Sequence, residues 1–281
     1  MNDGKNCKVC FIIGAPHSGS TLVGLILGSH SLAFFAGEAN KVSFFNDPNF
    51  EDERKFCRLC GKDCKIWSKV ESSGDNIYLQ LSKLTKKPVI IDSTKKLGWI
   101  HKQLKSAEDN KLKHYLIFLK RDVRAVINSL ARKYPKKAIE ELIEEWNQHI
   151  GETKELFTAF NGEKIEIYYE ELTLNPDHVI EGLCRFLEIE YEPKMKEYYY
   201  KEHHSIGGNI GTYYLLLKAK DYENEWLLTE RNEYYYRDHP LSIKLDERWK
   251  KELDKRFEKV IIEKTGSLFH EFTWDYQYSS S

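Results

Sequence analysis

The sequence predicts an α/β protein of three layers, with a central parallel sheet flanked by helices. Three observations carry this. Short apolar runs at 8–13, 31–36, 88–92, 114–119 and 164–169 read as buried strands. Segments with helical apolar spacing alternate with them, as parallel strands joined by crossover helices require. Gly14–Thr21, Glu38, Asp92–Lys95 and Arg121 all fall at the carboxyl ends of those runs, where such sheets bind ligands.

Taken in order, residues 8–13 form the first strand and 21–29 a helix behind a Gly/Pro/Ser turn. The run from Ser31 to Ala36 ends at Gly37-Glu38 and puts Glu38 at a strand end. Ile77, Leu79, Leu81 and Leu84 mark a helix near 75–85. Pro88–Asp92 is the next strand, after which Ser93 or Thr94 is expected to cap a helix to about 106. His114–Leu119 precedes Lys120-Arg121-Asp122, a helix to about Arg132, and another from Pro135 to about Phe160. On that last helix Ile139, Leu142, Ile143, Trp146 and Ile150 share a face. Lys164–Tyr169 is a strand, Asn175–Leu187 a helix with Pro176 at its start, and Pro193–Lys201 a further helix. Residues 203–240 read as irregular. Asp246–Thr265 reads as a closing helix with Trp249, Leu253, Phe257, Val260 and Ile261 on one face, before an aromatic tail. The 281 residues are expected to form a single domain.

With 41% apolar and 31% charged residues and a net charge of −1, the composition is that of a soluble globular chain. Net attraction to nucleic acid or an acidic membrane is not expected, so any anion must be bound locally. No apolar run is long enough to span a membrane and the start is too polar for a leader, so a cytoplasmic location is expected. Cys57, Cys60 and Cys64 have the spacing to supply ligands of a structural zinc site, which Cys7 and Cys10 would complete if the fold brought them near. The favoured reading of these cysteines is reduced thiols, with no metal needed for catalysis.

The chemistry concentrates in Gly14-Ala15-Pro16-His17-Ser18-Gly19-Ser20-Thr21. A strand, a glycine-bounded loop and a helix start in succession aim backbone N–H groups at one point and bind phosphate. The spacing is that of a nucleotide-triphosphate loop, yet Ser20 stands where the lysine that reaches a γ-phosphate should be. Arg121 at a strand end and Ser129 on the following helix form a second phosphate grip.

With these residues in view, the chain resembles the sulfotransferases that use 3′-phosphoadenosine 5′-phosphosulfate, of bacterial type, and is also similar to tyrosylprotein sulfotransferases. Their G-x-P-[K/R]-S-G-[S/T]-T loop matches Gly14–Thr21, and their later Arg and Ser match Arg121 and Ser129. Gly37-Glu38, Asp92-Ser93-Thr94-Lys95, Tyr168-Tyr169-Glu170-Glu171-Leu172 with Pro176, and His204-Ser205-Ile206-Gly207-Gly208-Asn209 are similar to further family segments, between residues 9 and 265. The donor has no γ-phosphate, which accounts for Ser20. The resemblance implies a P-loop-like fold, with a 5′-phosphosulfate loop and helix at 8–30, a 3′-phosphate element at 115–132 and a cap at 203–240. It implies no nucleic-acid partner and a small-molecule, sugar or lipid acceptor, sulfated on a hydroxyl or amine.

On this resemblance Pro16, His17, Ser18, Gly19, Ser20, Thr21, Arg121, Ser129, Tyr169, Gly207, Gly208 and Asn209 contact the donor or its product 3′,5′-adenosine bisphosphate. Lys95 supplies charge at the sulfuryl group, with His17 assisting when protonated. Glu38 is the expected base, its pKa raised by the anionic donor, with His101, His203 and His204 as alternatives. The chain departs from the family at His17, where Lys or Arg is usual, and after Asn209, where Ile210 replaces an Arg; Lys218, Lys220 and Arg231 are substitutes for the latter. Tyr198–Tyr200, Tyr213, Tyr214, Tyr222 and Trp226 belong to a segment expected to fold over the site on a Gly207-Gly208 hinge. The competing readings are a P-loop kinase or NTPase, in which Asp92 would hold Mg²⁺, and a catalytically inactive nucleotide-binding module.

Overall fold

The computed structural model describes residues 6–45, 47, 49–50, 56–72, 76–221 and 228–274. Its centre is a five-stranded sheet of β1 (Lys8–Ile13), β2 (Ala33–Gly37), β3 (Val89–Asp92), β4 (Lys113–Lys120) and β5 (Glu163–Tyr168). The strands are parallel and lie in the order β2-β3-β1-β4-β5. The chain leaves β1 for β2 and β3 on one side, then crosses to β4 on the other. Its connections therefore diverge at β1 and open a crevice at that strand's carboxyl end.

Side chains alternate across a strand, and here both faces are covered. Val9, Phe11 and Ile13 of β1 join Ile90, Leu116 and Phe118 in one core. That core is closed by α2 (Ile77–Thr85), α3 (Leu97–Asp109), α4 (Val123–Lys133) and α5 (Ile139–Ala159). Cys10 and Ile12 face the opposite core with Phe35, Ile91, Ile117 and Leu119. It is closed by α1 (Ser20–Gly28), α6 (Tyr169–Leu174), α7 (Pro176–Phe186) and α8 (Ile210–Lys218). Each fully buried aliphatic side chain contributes about 1.5–3 kcal/mol, which is why the strands read as near-continuous apolar runs. Four short helices complete the chain: α9 (Glu233–Tyr236), α10 (Trp249–Glu252), α11 (Lys255–Thr265) and α12 (Ser267–Phe272). Among the described residues no helix is long and apolar enough to cross a membrane.

Several boundaries differ from the sequence reading, each for a local reason. Neither Ser93 nor Thr94 caps α3, which starts after Lys96. Ser93 N–H and hydroxyl both donate to Gly37 O, and Thr94 N–H donates to Asp92, so these residues tie the end of β3 to β2 instead. α5 begins at Ile139 because Lys137 N–H closes a turn onto Tyr134 O ahead of it. Tyr169 opens α6 rather than ending a strand, and 193–200 is a 3₁₀ segment with a kink at Glu197. The stretch 203–240 holds α8 and α9, the former capped by Asn209, whose side chain accepts from Thr212 N–H. The closing helix is split at Leu253, where Asp254 caps α11; Asp246 lies outside it and Phe257 is exposed. Tyr222, Trp226 and the tail beyond Trp274 lie outside the described residues.

Asp92 fixes the carboxyl edge. Its side chain is 1% exposed and accepts four hydrogen bonds: from Ala39 N (3.2 Å) and Thr94 N (2.8 Å) on Oδ1, and from Tyr78 Oη (2.7 Å) and Trp99 Nε1 (3.0 Å) on Oδ2. Both oxygens are thus engaged in joining β2, α2 and α3 to β3, which removes the main support for the Mg²⁺-binding acid of the kinase reading. Asp92→Ala leaves these buried donors without acceptors, and the expected loss is about 3 kcal/mol or more of unfolding free energy, measured by denaturant titration.

Candidate active site

The carboxyl ends of the strands open into a cavity of about 340 Å³. Pro16, His17, Gly19, Ser20 and Thr21 line it from the loop after β1, Glu38 from the end of β2 and Lys95 from the segment after β3. Arg121 follows β4, Ser129 comes from α4, Tyr169 from α6, and Gly208 and Asn209 precede α8. The far wall holds Lys133, Arg231, Arg248 and Tyr236. Among the described residues its only acids are Glu38 and Asp246, so a chain of net charge −1 builds a strongly cationic concavity.

The loop is built to aim N–H groups. Gly14, His17 and Gly19 all hold positive φ (126°, 67° and 94°), which turns successive amides toward a common side. For His17 this conformation costs about 1 kcal/mol, and the surrounding contacts hold it. Gly19 is the N-cap of α1, has no side-chain cap hydrogen bond, and leaves the helix N-terminus facing the cavity. Only glycine fits there, since a Cβ would lie 2.5 Å from the Tyr169 ring. Ser18 and Gly207 do not line the cavity. Ser18 is buried with a hydroxyl that has no partner among the described residues, and Gly207 O accepts from Arg58 Nε at 3.0 Å.

His17 points along the loop toward α4. Its Nδ1 lies 2.9 Å from Ser129 Oγ, and its carbonyl accepts from Arg121 Nη1 at 2.9 Å. Burial first, then the charges of Lys133, Arg231, Arg121 and Arg132, push its pKa down to about 3. The ring is therefore neutral near pH 7 in this surrounding. Arg121 stacks on the Tyr169 ring at 4.3 Å, and its Nη2 donates to Asp246 Oδ2 at 3.0 Å. Asp246 is held well below the usual carboxylate range: burial opposes this, and Arg248 and Arg121 outweigh it. The Arg121 fork expected to face a phosphate is thus already occupied, with Nε left without a partner. Arg231 has no hydrogen bond or ion pair among the described residues, so its guanidinium is free on the wall beside His17 and Ser129.

Lys95 donates to Ile12 O at 2.7 Å, and burial pulls its pKa down to about 8 against the opposing charges of Glu38 and Asp92. Glu38 is ion-paired with Lys41 and accepts from Gly208 N at 3.0 Å. Burial would raise its pKa, but Lys41, the Gly208 N–H and Lys95 outweigh burial and lower it. The alternative bases lie elsewhere. His101 is exposed, His203 is buried against Tyr198 O, and His204 sits among the cysteines. Of the substitute cations only Arg231 reaches the cavity; Lys218 donates to the carbonyls of Arg237 and His239, and Lys220 is not in the lining. Asp246, Arg248, Lys133 and Tyr236 were not anticipated, because nothing in their local sequence separates them from solvated helix faces.

The His17 environment has a pH signature. Between pH 6.5 and about 3 the unfolded chain takes up a proton that the native ring refuses, so stability falls as pH falls through that window. His17→Asn is expected to flatten this part of the stability profile, and the His17 ring resonance in NMR should not move between pH 8 and 5.

Residues 113–193 match the model of the sulfotransferase family. A putative protein-tyrosine sulfotransferase of Caenorhabditis briggsae is 33% identical over 102 residues, 34% of this chain and 34% of that protein. An uncharacterized protein of Aquifex aeolicus (strain VF5) is 27% identical over 213 residues, 67% of this chain. The matched region spans 26% of the Aquifex protein's length, so the chain corresponds to only about a quarter to a third of these relatives. In fold it is similar to the sulfotransferase domain of the Synechococcus PCC 7002 olefin synthase (TM-score 0.62, 18% identity, 95% of each chain). It is also similar to mouse sulfotransferase SULT7A1, solved with PAP (TM-score 0.50, 10% identity, 96% of this chain and 88% of that one). The chain thus carries the sulfotransferase fold over nearly its whole length and, over residues 113–193, the sequence pattern of the sulfotransferase family.

Proposed function

We propose that the protein transfers a sulfuryl group from 3′-phosphoadenosine 5′-phosphosulfate to a hydroxyl or amine of a small molecule, sugar or lipid. One observation carries this reading: two separate anion-binding elements, the uncapped start of α1 and the Ser129–Arg231 wall, face the same cavity. A nucleotide with a phosphate at each end matches that arrangement, and a triphosphate does not.

The donor supplies a sulfuryl group on a phosphate leaving group. Amides of Gly19, Ser20 and Thr21, with the Ser20 and Thr21 hydroxyls, hold the 5′ end, with Pro16 and the buried Ser18 shaping the turn. Ser129 and Arg231 hold the 3′-phosphate, Arg121 adds charge and positions Tyr169, and neutral His17 orients the Ser129 hydroxyl. Lys95 stabilises the charge that develops at the sulfuryl oxygens, in a pre-arranged cationic site that needs little reorganisation. Glu38, ionised at neutral pH, accepts the acceptor's proton once its contact with Lys41 loosens. Gly207, Gly208 and Asn209 keep the cap loop against this carboxylate and the α1 start.

Calorimetry is expected to show binding of 3′,5′-adenosine bisphosphate and none of ATP with Mg²⁺; the reverse result sinks the proposal. Arg231→Ala should weaken the bisphosphate about 10–150-fold and leave 5′-AMP almost unchanged, since only the 3′ contact is lost. Transfer of labelled sulfate to a panel of sugars, phenols, lipids and tyrosine peptides should fall about 10²–10⁴-fold in Glu38→Gln, with bisphosphate affinity kept within about threefold. The charged form of Lys95 is the active one, so kcat/KM should decline as pH rises through about 8.

A further inference from the structure

Cys57, Cys60, Cys64 and His204 meet on the far side of the cap loop, with their ligating atoms all within 4.8 Å of one another. Cys60 Sγ and Cys64 Sγ lie 3.2 Å and 3.5 Å from His204 Nδ1. A zinc tetrahedron with Zn–S near 2.3 Å and Zn–N near 2.0 Å separates its ligand atoms by about 3.5–3.8 Å. Sequence spacing alone leaves the fourth ligand open between Cys7, Cys10 and nothing. The fold answers with a residue 140 positions from Cys64. Cys7 donates weakly to Tyr78 O and Cys10 faces the opposite core, so neither joins the cluster.

The surroundings are those of a metal site. Cys57 and Cys60 flank a tight turn closed by Gly61 N–H on Cys57 O (3.0 Å), and Gly61 at φ 68° makes that turn. The other ring nitrogen of His204, Nε2, pairs with Glu202 Oε1 at 2.8 Å, the carboxylate–histidine arrangement that fixes a ligating ring and leaves Nδ1 free for a metal. Trp67 Nε1 donates to the His204 carbonyl and holds its backbone. Cys57, Cys64 and His204 are buried and Cys60 is exposed, which gives an ion a route in.

We infer that Cys57, Cys60, Cys64 and His204 bind one structural Zn²⁺. With four protein ligands the site has no open position for substrate, and none of the four lines the catalytic cavity. Its effect is positional. Zn²⁺ would cross-link the 57–64 segment to the loop that carries Gly207, Gly208 and Asn209. That loop already bonds back through Arg58 N to Ser205 O (3.1 Å) and Arg58 Nε to Gly207 O (3.0 Å). The inference stands on the cluster's geometry and does not depend on the reaction proposed above.

The test uses the full chain purified under reducing conditions. Inductively coupled plasma mass spectrometry should find about one zinc per chain, falling to near zero in Cys60→Ser and in His204→Ala. Should either variant fail to fold, cobalt titration of the wild-type protein decides, because three thiolates and an imidazole give the intense visible absorption of tetrahedral cobalt. Chelation should lower Tm by roughly 5 °C or more and speed hydrogen exchange in residues 203–209 while leaving β1 protected. Reduced protein that takes up neither zinc nor cobalt overturns the inference. So does a disulfide among Cys57, Cys60 and Cys64 found by mass spectrometry of protein alkylated at lysis.

Discussion

The structure depends on one short crossing of chains at the edge of the sheet. Ile206 N–H donates to Ala36 O and Glu38 N–H donates to Ile206 O, so the 203–209 segment is hydrogen-bonded alongside the end of β2. From that seam Gly208 N–H reaches Glu38, Asn209 N–H reaches Thr21 Oγ1, and Asn209 caps α8. His204, at the other end of the segment, enters the cysteine cluster. A segment far along the chain thereby sets the position of a strand-end carboxylate and bonds to Thr21 at the start of α1. Were this seam to open, the cavity would lose one wall and the carboxylate its backbone donor.

Electrostatics decides what the cavity accepts. The whole chain is close to neutral, yet the cavity gathers guanidinium and ammonium groups with few acids to offset them. Such crowding is costly to leave uncompensated, and the chain manages it in three ways. Asp246 neutralises Arg121 and Arg248, His17 stays uncharged, and Lys95 titrates close to neutrality. Among the described residues Arg231, Lys133 and Lys244 line the cavity without an ion pair, near the uncapped start of α1. The same logic suits a histidine at this place in the loop, since further positive charge beside Arg231 and Lys133 would be repelled.

Much of the fold was legible because strands buried on both faces must be continuously apolar, and that pattern survives without any knowledge of contacts. That Gly14–Thr21 turns from a strand into a helix, and that Arg121 and Ser129 come to the same cavity, was legible because the first depends on local spacing and the second on strand-end position. The helix boundaries near Ser93 and Asp246 were misplaced because side chains there bond to distant partners, and the one near Pro135 because a backbone turn, Lys137 N–H onto Tyr134 O, precedes the helix. Ser93 is drawn to Gly37 and Asp246 to Arg121, and local propensity carries no record of either.

By itself, then, the sequence determined the layered α/β architecture and the strand–turn–helix succession at Gly14–Thr21, since each depends on periodicity or short-range spacing. Tertiary structure alone decided that Arg121 is paired with Asp246, that His17 is neutral, and that Arg231 reaches the cavity with no hydrogen bond or ion pair among the described residues. It also decided that His204 joins three cysteines, away from the cavity lining. These are outcomes of contacts between residues separated by scores of positions, where burial and neighbouring charge, not residue type, set the chemistry.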